Sequence, residues 1–267
     1  MSKPLPSYES PPVIETVLGI GFAPVPGATT AHLGALWHQR FRSEYPRIEE
    51  KPWQPLFPPF PADQKERPRC TSRLWLWHAS NEHVIQLQTD ALLSNWVRQK
   101  DKARYLPYQQ RKKRLQAHWQ AAEDFFREEL GRTPRAEKTL VLYVNHIPLE
   151  THPPLEVLAT FFRGWRLPCR GSGLPKAASA EIRLRFPLPA SDDSQPQGAS
   201  TLDVSLFQVE DENQYKFWRF ELLGRAQTSG NTWEHISEAL DVCHERVVMG
   251  FTDLTTPEAH KLWGRIQ

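Results

Sequence analysis

The chain passes twice through one succession of elements, and this repetition restricts the folds open to it more than any single motif does. Each pass is a β-rich strand, a short amphipathic helix, a strand pair and a longer helix, the second beginning near Lys138. A unit of that kind buries its strands against its own helices. The expected fold class is therefore α+β, with two pseudo-repeated lobes, each an antiparallel sheet with a short and a long helix, over residues 1–137 and 138–267.

The alternation and β-branching of Val13–Phe22 predict the first strand. Thr29 or Thr30 can cap a helix reaching Tyr45, on which Leu33, Leu36, Trp37 and Phe41 recur at helical steps. After a proline-rich connection, Arg73–His78 and His83–Asp90 read as a hairpin turning at Ser80-Asn81. In its RLWLWH strand both faces are apolar, so the strand is covered on both sides or offers Trp75 and Trp77 as an aromatic platform. Pro107–Leu130 carries the stripe Tyr108, Leu115, Trp119, Ala122, Phe126 and predicts the longest helix, stopped by Gly131 and Pro134. The second pass gives Leu140–Ile147, a short helix Leu155–Phe162, and strands at Ala180–Phe186, Leu202–Val209 and Tyr215–Gly224. Asn231 with Glu234 resembles a capping box for the last long helix, and Thr256-Pro257 opens a final turn that lets Trp263 pack back.

Charge is segregated. The whole chain carries a net charge of only +2 over 267 residues, which argues against a protein that coats nucleic acid. Yet Arg98–Lys138 holds 12 basic against 6 acidic residues, and Thr201–Thr255 holds 10 acidic against 4 basic. Such a chain can pair its own halves, form a homodimer head to tail, or offer each face to a different partner. The basic cluster Arg98, Lys100, Lys102, Arg104, Arg111, Lys112, Lys113 and Arg114 is the candidate contact for a nucleic-acid or protein partner.

Three cysteines at long spacings form neither a disulfide framework nor a zinc motif, which fits a reducing cytoplasm. The N-terminus has no basic-then-apolar leader, and no apolar run reaches the ~18 residues that would span a membrane, so no membrane association is expected. Phosphate loop, dinucleotide fingerprint, nucleophile elbow and zinc-helix spellings are all absent. No catalytic residue, metal or cofactor is assigned. The remaining candidate ligand contacts are Trp96, the pair Asn145 and His146 at a strand end, and Arg170 with Lys176 in a glycine-containing loop. A pocket lined by Trp75, Trp77 and Trp96 is a further reading.

Several segments together carry a resemblance across nearly the whole chain. They are Tyr8-Glu9 with Pro11-Pro12-Val13-Ile14-Glu15, Gln86–Trp96, Tyr143–Pro148, His244–Val248, Phe251–Thr256 and Trp263-Gly264. In these the chain resembles a sporadically distributed, uncharacterised bacterial protein family of similar length. The resemblance implies no mechanism, and its patchy distribution suggests mobile genes such as those of antiviral defence or toxin–antitoxin loci. The expected function is a non-enzymatic interaction or regulatory protein that docks a protein or nucleic-acid partner through polarised charged faces. The alternative is RNA or DNA binding or processing by region 98–114, with His146 as acid or base.

Overall fold

The computed structural model describes residues 4–55, 72–99, 105–148, 154–164, 180–188, 200–210 and 215–266. Among them are nine strands and five helices: β1 (Val13–Ala23), α1 (Thr30–Leu36), β2 (Arg47–Pro52), β3 (Ser72–Trp77), β4 (His83–Gln88), β5 (Ala91–Val97), α2 (Tyr108–Leu130), β6 (Arg135–Pro148), α3 (Pro154–Phe161), β7 (Glu181–Leu188), β8 (Ser200–Glu210), β9 (Lys216–Gln227), α4 (Trp233–Leu254) and α5 (Pro257–Leu262). The fold is mixed α+β. The strands form one antiparallel sheet in the order β2-β3-β4-β5-β1-β6-β9-β8-β7. The chain divides into two compact units, a first of Glu15–Leu140 with Ala226–Leu240 and a second of Met1–Ile14, Val141–Arg225 and Asp241–Gln267.

In the first unit the strand register sorts the side chains. Residues directly opposite in an antiparallel pair share a face, and Leu74↔Leu87, Leu76↔Ile85, Leu87↔Leu92 and Ile20↔Leu92 place one apolar set together. Phe22, two residues along from Ile20, has its ring 5.5 Å from Trp119 of α2, which marks this as the helix side. Helix α2 forms because Leu115, Trp119, Ala122 and Phe126 return to that side every turn, and all four are buried. Full burial of a side chain such as Leu115 or Phe126 stabilises by roughly 1.5–3 kcal/mol. Pro107 stands at the N-cap of α2, one position before the first turn, and Gly131 closes the helix at φ +63°.

Two strands carry no alternation to signal them. β5 is buried on nearly every residue, and β2 is a charged strand at the end of the sheet. The first helix is also shorter than its periodicity predicts: after Leu36 it widens into a π-helical turn over Trp37–Phe41, where the Arg42 amide donates to Trp37 at 2.8 Å. Asn231 does not cap α4. Its side-chain oxygen accepts from the Ala136 amide at 2.6 Å, and Thr232, whose hydroxyl meets His235 Nδ1 at 3.0 Å, stands before the first helical residue.

In the second unit α4 lies close against β9. A Cβ on Gly224 would stand 2.7 Å from the Cys243 carbonyl oxygen, and one on Gly250 would stand 2.6 Å from Leu202. Both glycines are thus spacers that let helix and strands approach. Trp218, Phe220 and Leu222 fill the interval and are buried. The Thr256 hydroxyl accepts from the Ala259 amide and starts α5, after which Trp263 is buried as expected. The terminal segments meet here: Glu9 and Ser10 amides donate to Gly264 and Trp263, and the Tyr8 ring lies 5.4 Å from Phe251. The segments around Tyr8 and Trp263 are therefore packing partners.

Gly224→Ala is expected to lower unfolding free energy by about 1–3 kcal/mol, because the new methyl meets backbone that cannot yield. Gly34→Ala, in α1 with nothing within 4 Å of the added Cβ, is expected to raise it by about 0.5–1 kcal/mol. Urea unfolding of both variants checks the pair.

Candidate functional site

The second unit has a sheet face opposite the one packed against α4. Strand alternation puts Trp218, Phe220 and Leu222 towards α4, so Phe217, Arg219, Glu221, Leu223 and Arg225 project from the opposite side and are half-exposed. The register Glu181↔Phe207, Arg183↔Ser205 and Arg185↔Asp203 extends this face across β8 to β7. Its charges are paired. Asp203 holds both Arg185 and, at 2.8 Å, Arg225. Glu221 accepts from Arg219 at 2.6 Å and from the Ser205 hydroxyl at 3.2 Å, and Arg183 meets Glu181 at 2.5 Å. The exposed Arg183–Glu181 pair contributes only about 0–1 kcal/mol to stability, whereas Asp203 and Arg225 are mostly buried, so that removing either would strand a charge. Together the pairs hold the arginines in fixed places. His146 of β6 stacks on Phe217 with ring centroids 3.9 Å apart, and Ala180, Glu181, Arg183, Phe207 and Gln208 bound a depression of about 390 Å³.

The corresponding face of the first unit is built differently. A relay of side chains crosses four strands: Arg73 donates to Gln86 at 3.1 Å, Gln86 to Asn95 at 3.1 Å, and Asn95 to Glu15 at 2.6 Å. Beside it stand Trp75 and Trp77, 6.0 Å apart, with Arg47 over Trp77 and with Lys51 and Arg73 over Trp75. Each cation masks the face of an aromatic ring and gains on the order of 0.5–1 kcal/mol.

On the helix side of the first unit is a cleft of about 530 Å³ between the π-helical turn and α2, lined by Arg40, Phe41, Glu44, Tyr45, Lys113, Arg114 and His118 among others. Beneath it lies a histidine–tyrosine cluster. The Tyr45 hydroxyl and His118 Nε2 are 3.1 Å apart, and His78 packs edge-on against both Tyr45 and His83. Burial holds His83 down at about 4 and His118 at about 3, from an ordinary 6.5, and the neighbouring Arg114 guanidinium pushes in the same direction.

The residues singled out in the sequence scatter. Lys100, Lys102, Arg104, Arg170 and Lys176 lie outside the described residues. Arg111 is buried, donating to the Leu106 carbonyl at 3.0 Å and the Tyr105 hydroxyl at 2.7 Å, so it fastens the start of α2. Lys112 reaches over the Tyr108 ring, while Lys113 and Arg114 border the cleft, and Arg98 is half-buried beyond β5. The consecutive run 111–114 thus wraps around the helix rather than forming one face. Trp96 is buried opposite His83, on the other side of the sheet from Trp75 and Trp77, so these three do not line one pocket. Asn145 is buried and donates to the Phe220 carbonyl at 3.1 Å, which makes it a strand fastener. Of the ligand candidates among the described residues, His146 is the one beside the charged face.

The arginines stand at alternate positions of EIRLRF in β7 and of KFWRFELLGR in β9, a signal that could have been read, whereas the cleft depends on a π turn that no spacing announces. Among the described residues no three His, Cys, Asp or Glu side chains are grouped to hold a metal, and no helix is long and apolar enough to cross a membrane. Against protein-family models, curated proteins and solved structures, the chain gives no match.

A histidine depressed in the folded state leaves the unfolded chain to take up its proton first. The stability linked to His83 and His118 is therefore complete above about 6.5 and is lost as pH falls towards 4 and 3. Unfolding free energy is expected to fall by up to about 1.4 kcal/mol per pH unit for each of them across that window. His118→Phe is expected to flatten the fall in urea titrations between pH 7 and 5; an unchanged slope would contradict the assignment.

Proposed function

We propose that the protein is a non-enzymatic interaction protein that docks a protein partner on the charged face of β7, β8 and β9. The observation that carries this reading is the fixed set Arg183, Arg185, Arg219 and Arg225, interleaved with three carboxylates and beside Phe207, Phe217 and His146. Arginine and aromatic residues dominate the binding energy of protein interfaces, and a depression of about 390 Å³ is large enough to receive an anchoring side chain. Four arginines against three carboxylates leave the face close to neutral, which favours a protein with its own mixed charges over a phosphate backbone.

The wider setting, a mobile or defence-linked bacterial locus and a cytoplasmic location, rests on the resemblance and on the cysteine pattern. The order β1, α1, β3, β4, β5, α2 beside β6, α3, β7, β8, β9, α4 supports reading the two halves as a pseudo-repeat meeting near residue 137, with β2 and α5 as additions.

Capture from a lysate of the source cells, with Arg183→Glu/Arg219→Glu in parallel, tests the docking face. A stoichiometric protein is expected to be held by the native chain and weakened by roughly 30-fold or more in the variant, the loss typical of two central arginines. Circular dichroism and the melting temperature of the variant are expected to match the native chain. Retention of nucleic acid that is lost as salt rises, or a captured protein indifferent to both substitutions, would contradict the reading.

A further inference from the structure

We propose that the cleft between the π-helical turn and α2 of the first unit binds a small organic anion with a planar body, of the size and chemistry of a nucleoside monophosphate. This site is independent of the docking face, since its lining comes from other residues of the chain.

Three observations converge on it. The first is its construction. Helix α1 gives way to a π-helical turn where Arg40 and Phe41 reach the cleft, and π-helical turns are concentrated at functional sites because they cost stability that a plain helix would keep. The second is its charge. Arg40, Lys113 and Arg114 face a single lining carboxylate, Glu44, so the cleft is cationic within a region whose remaining lining is neutral. Arg40 is paired with Glu128 outside the lining, so one of the three cations is already oriented. A guanidinium fixed in this way suits the oxygens of a phosphate, with Arg114 and the lysine ammonium as further charges.

The third is the shape and polarity of the interior. Phe41, Leu106, Ala117 and Ala121 form apolar walls around about 530 Å³, inside the range of roughly 300–1,000 Å³ that small-molecule sites occupy. Tyr45 and His118 lie on this lining as polar groups paired with each other, the Tyr45 hydroxyl 3.1 Å from His118 Nε2. A phosphate bound by the cations and a flat ring between Phe41 and the alanines of α2 would use every part of the lining.

Isothermal titration of the full chain with AMP, inorganic phosphate and adenosine tests the site. Saturable 1:1 binding of AMP is expected, with phosphate and adenosine each at least about tenfold weaker, since each carries only one of the two recognised features. Lys113→Glu is expected to weaken AMP at least about tenfold through charge. Ala117→Trp, at an exposed helix position, is expected to abolish binding by filling the cleft while leaving the melting temperature within a few degrees. No saturation by AMP up to about 5 mM would overturn the proposal, as would binding that survives both substitutions.

Discussion

The contact between α4 and β9 at Gly224 sets the terms for the second unit. With no side chain at that position the helix settles against strand backbone, and the alternate residues Trp218, Phe220 and Leu222 are committed to the interface. A strand has only two faces, so the same commitment sends Phe217, Arg219, Glu221, Leu223 and Arg225 to the other side. A one-residue slip would exchange the two sets and bury the charges, at a cost no surface ion pair could offset. The charged face is therefore a consequence of helix packing.

The two units use polar side chains on the sheet in different ways. In the first, Arg73, Gln86, Asn95 and Glu15 join into a relay of which Gln86 and Asn95 are almost wholly buried, where each hydrogen bond satisfies a group that would otherwise be stranded. In the second, ion pairs around Asp203 and Glu221 take the place of such a relay, the Asp203–Arg225 pair mostly buried and the Arg219–Glu221 pair partly so, and they hold the arginines in position. The first arrangement is a buried network, and the second lies on the sheet face opposite α4. The buried histidines beneath the cleft are neutral at physiological pH, so they form part of the packing and supply hydrogen-bonding groups without charge.

Much of the fold was legible because its elements obey simple periods. The stripe on α2 from Tyr108 to Phe126, the Gly131 stop, and the alternation of β8 and β9 all stand where spacing put them. What escaped lacks a period. β5 is buried on both sides and so shows no alternation, β2 is a polar strand at the sheet's end, and the π turn at Trp37–Phe41 changes the helical repeat without changing residue types. Four consecutive basic residues look like one patch in sequence, but at 100° per residue they point in different directions around the helix, and Arg111 is buried as a fastener. The arginines that share a surface lie as two near neighbours on β7 and two on β9, far apart in sequence, and meet through Asp203 of β8, which holds both Arg185 and Arg225.

Cysteine accessibility along β9 tests the central claim most directly. In a chain whose native cysteines are replaced by alanine, single cysteines at Phe217, Arg219 and Leu223 are expected to react with a soluble maleimide at least about tenfold faster than cysteines at Trp218, Phe220 and Leu222. That alternation would establish that one face of the strand is packed by α4 and the other is open to a partner. Equal protection at all six positions would show the charged face to be covered, and the docking account would not survive it.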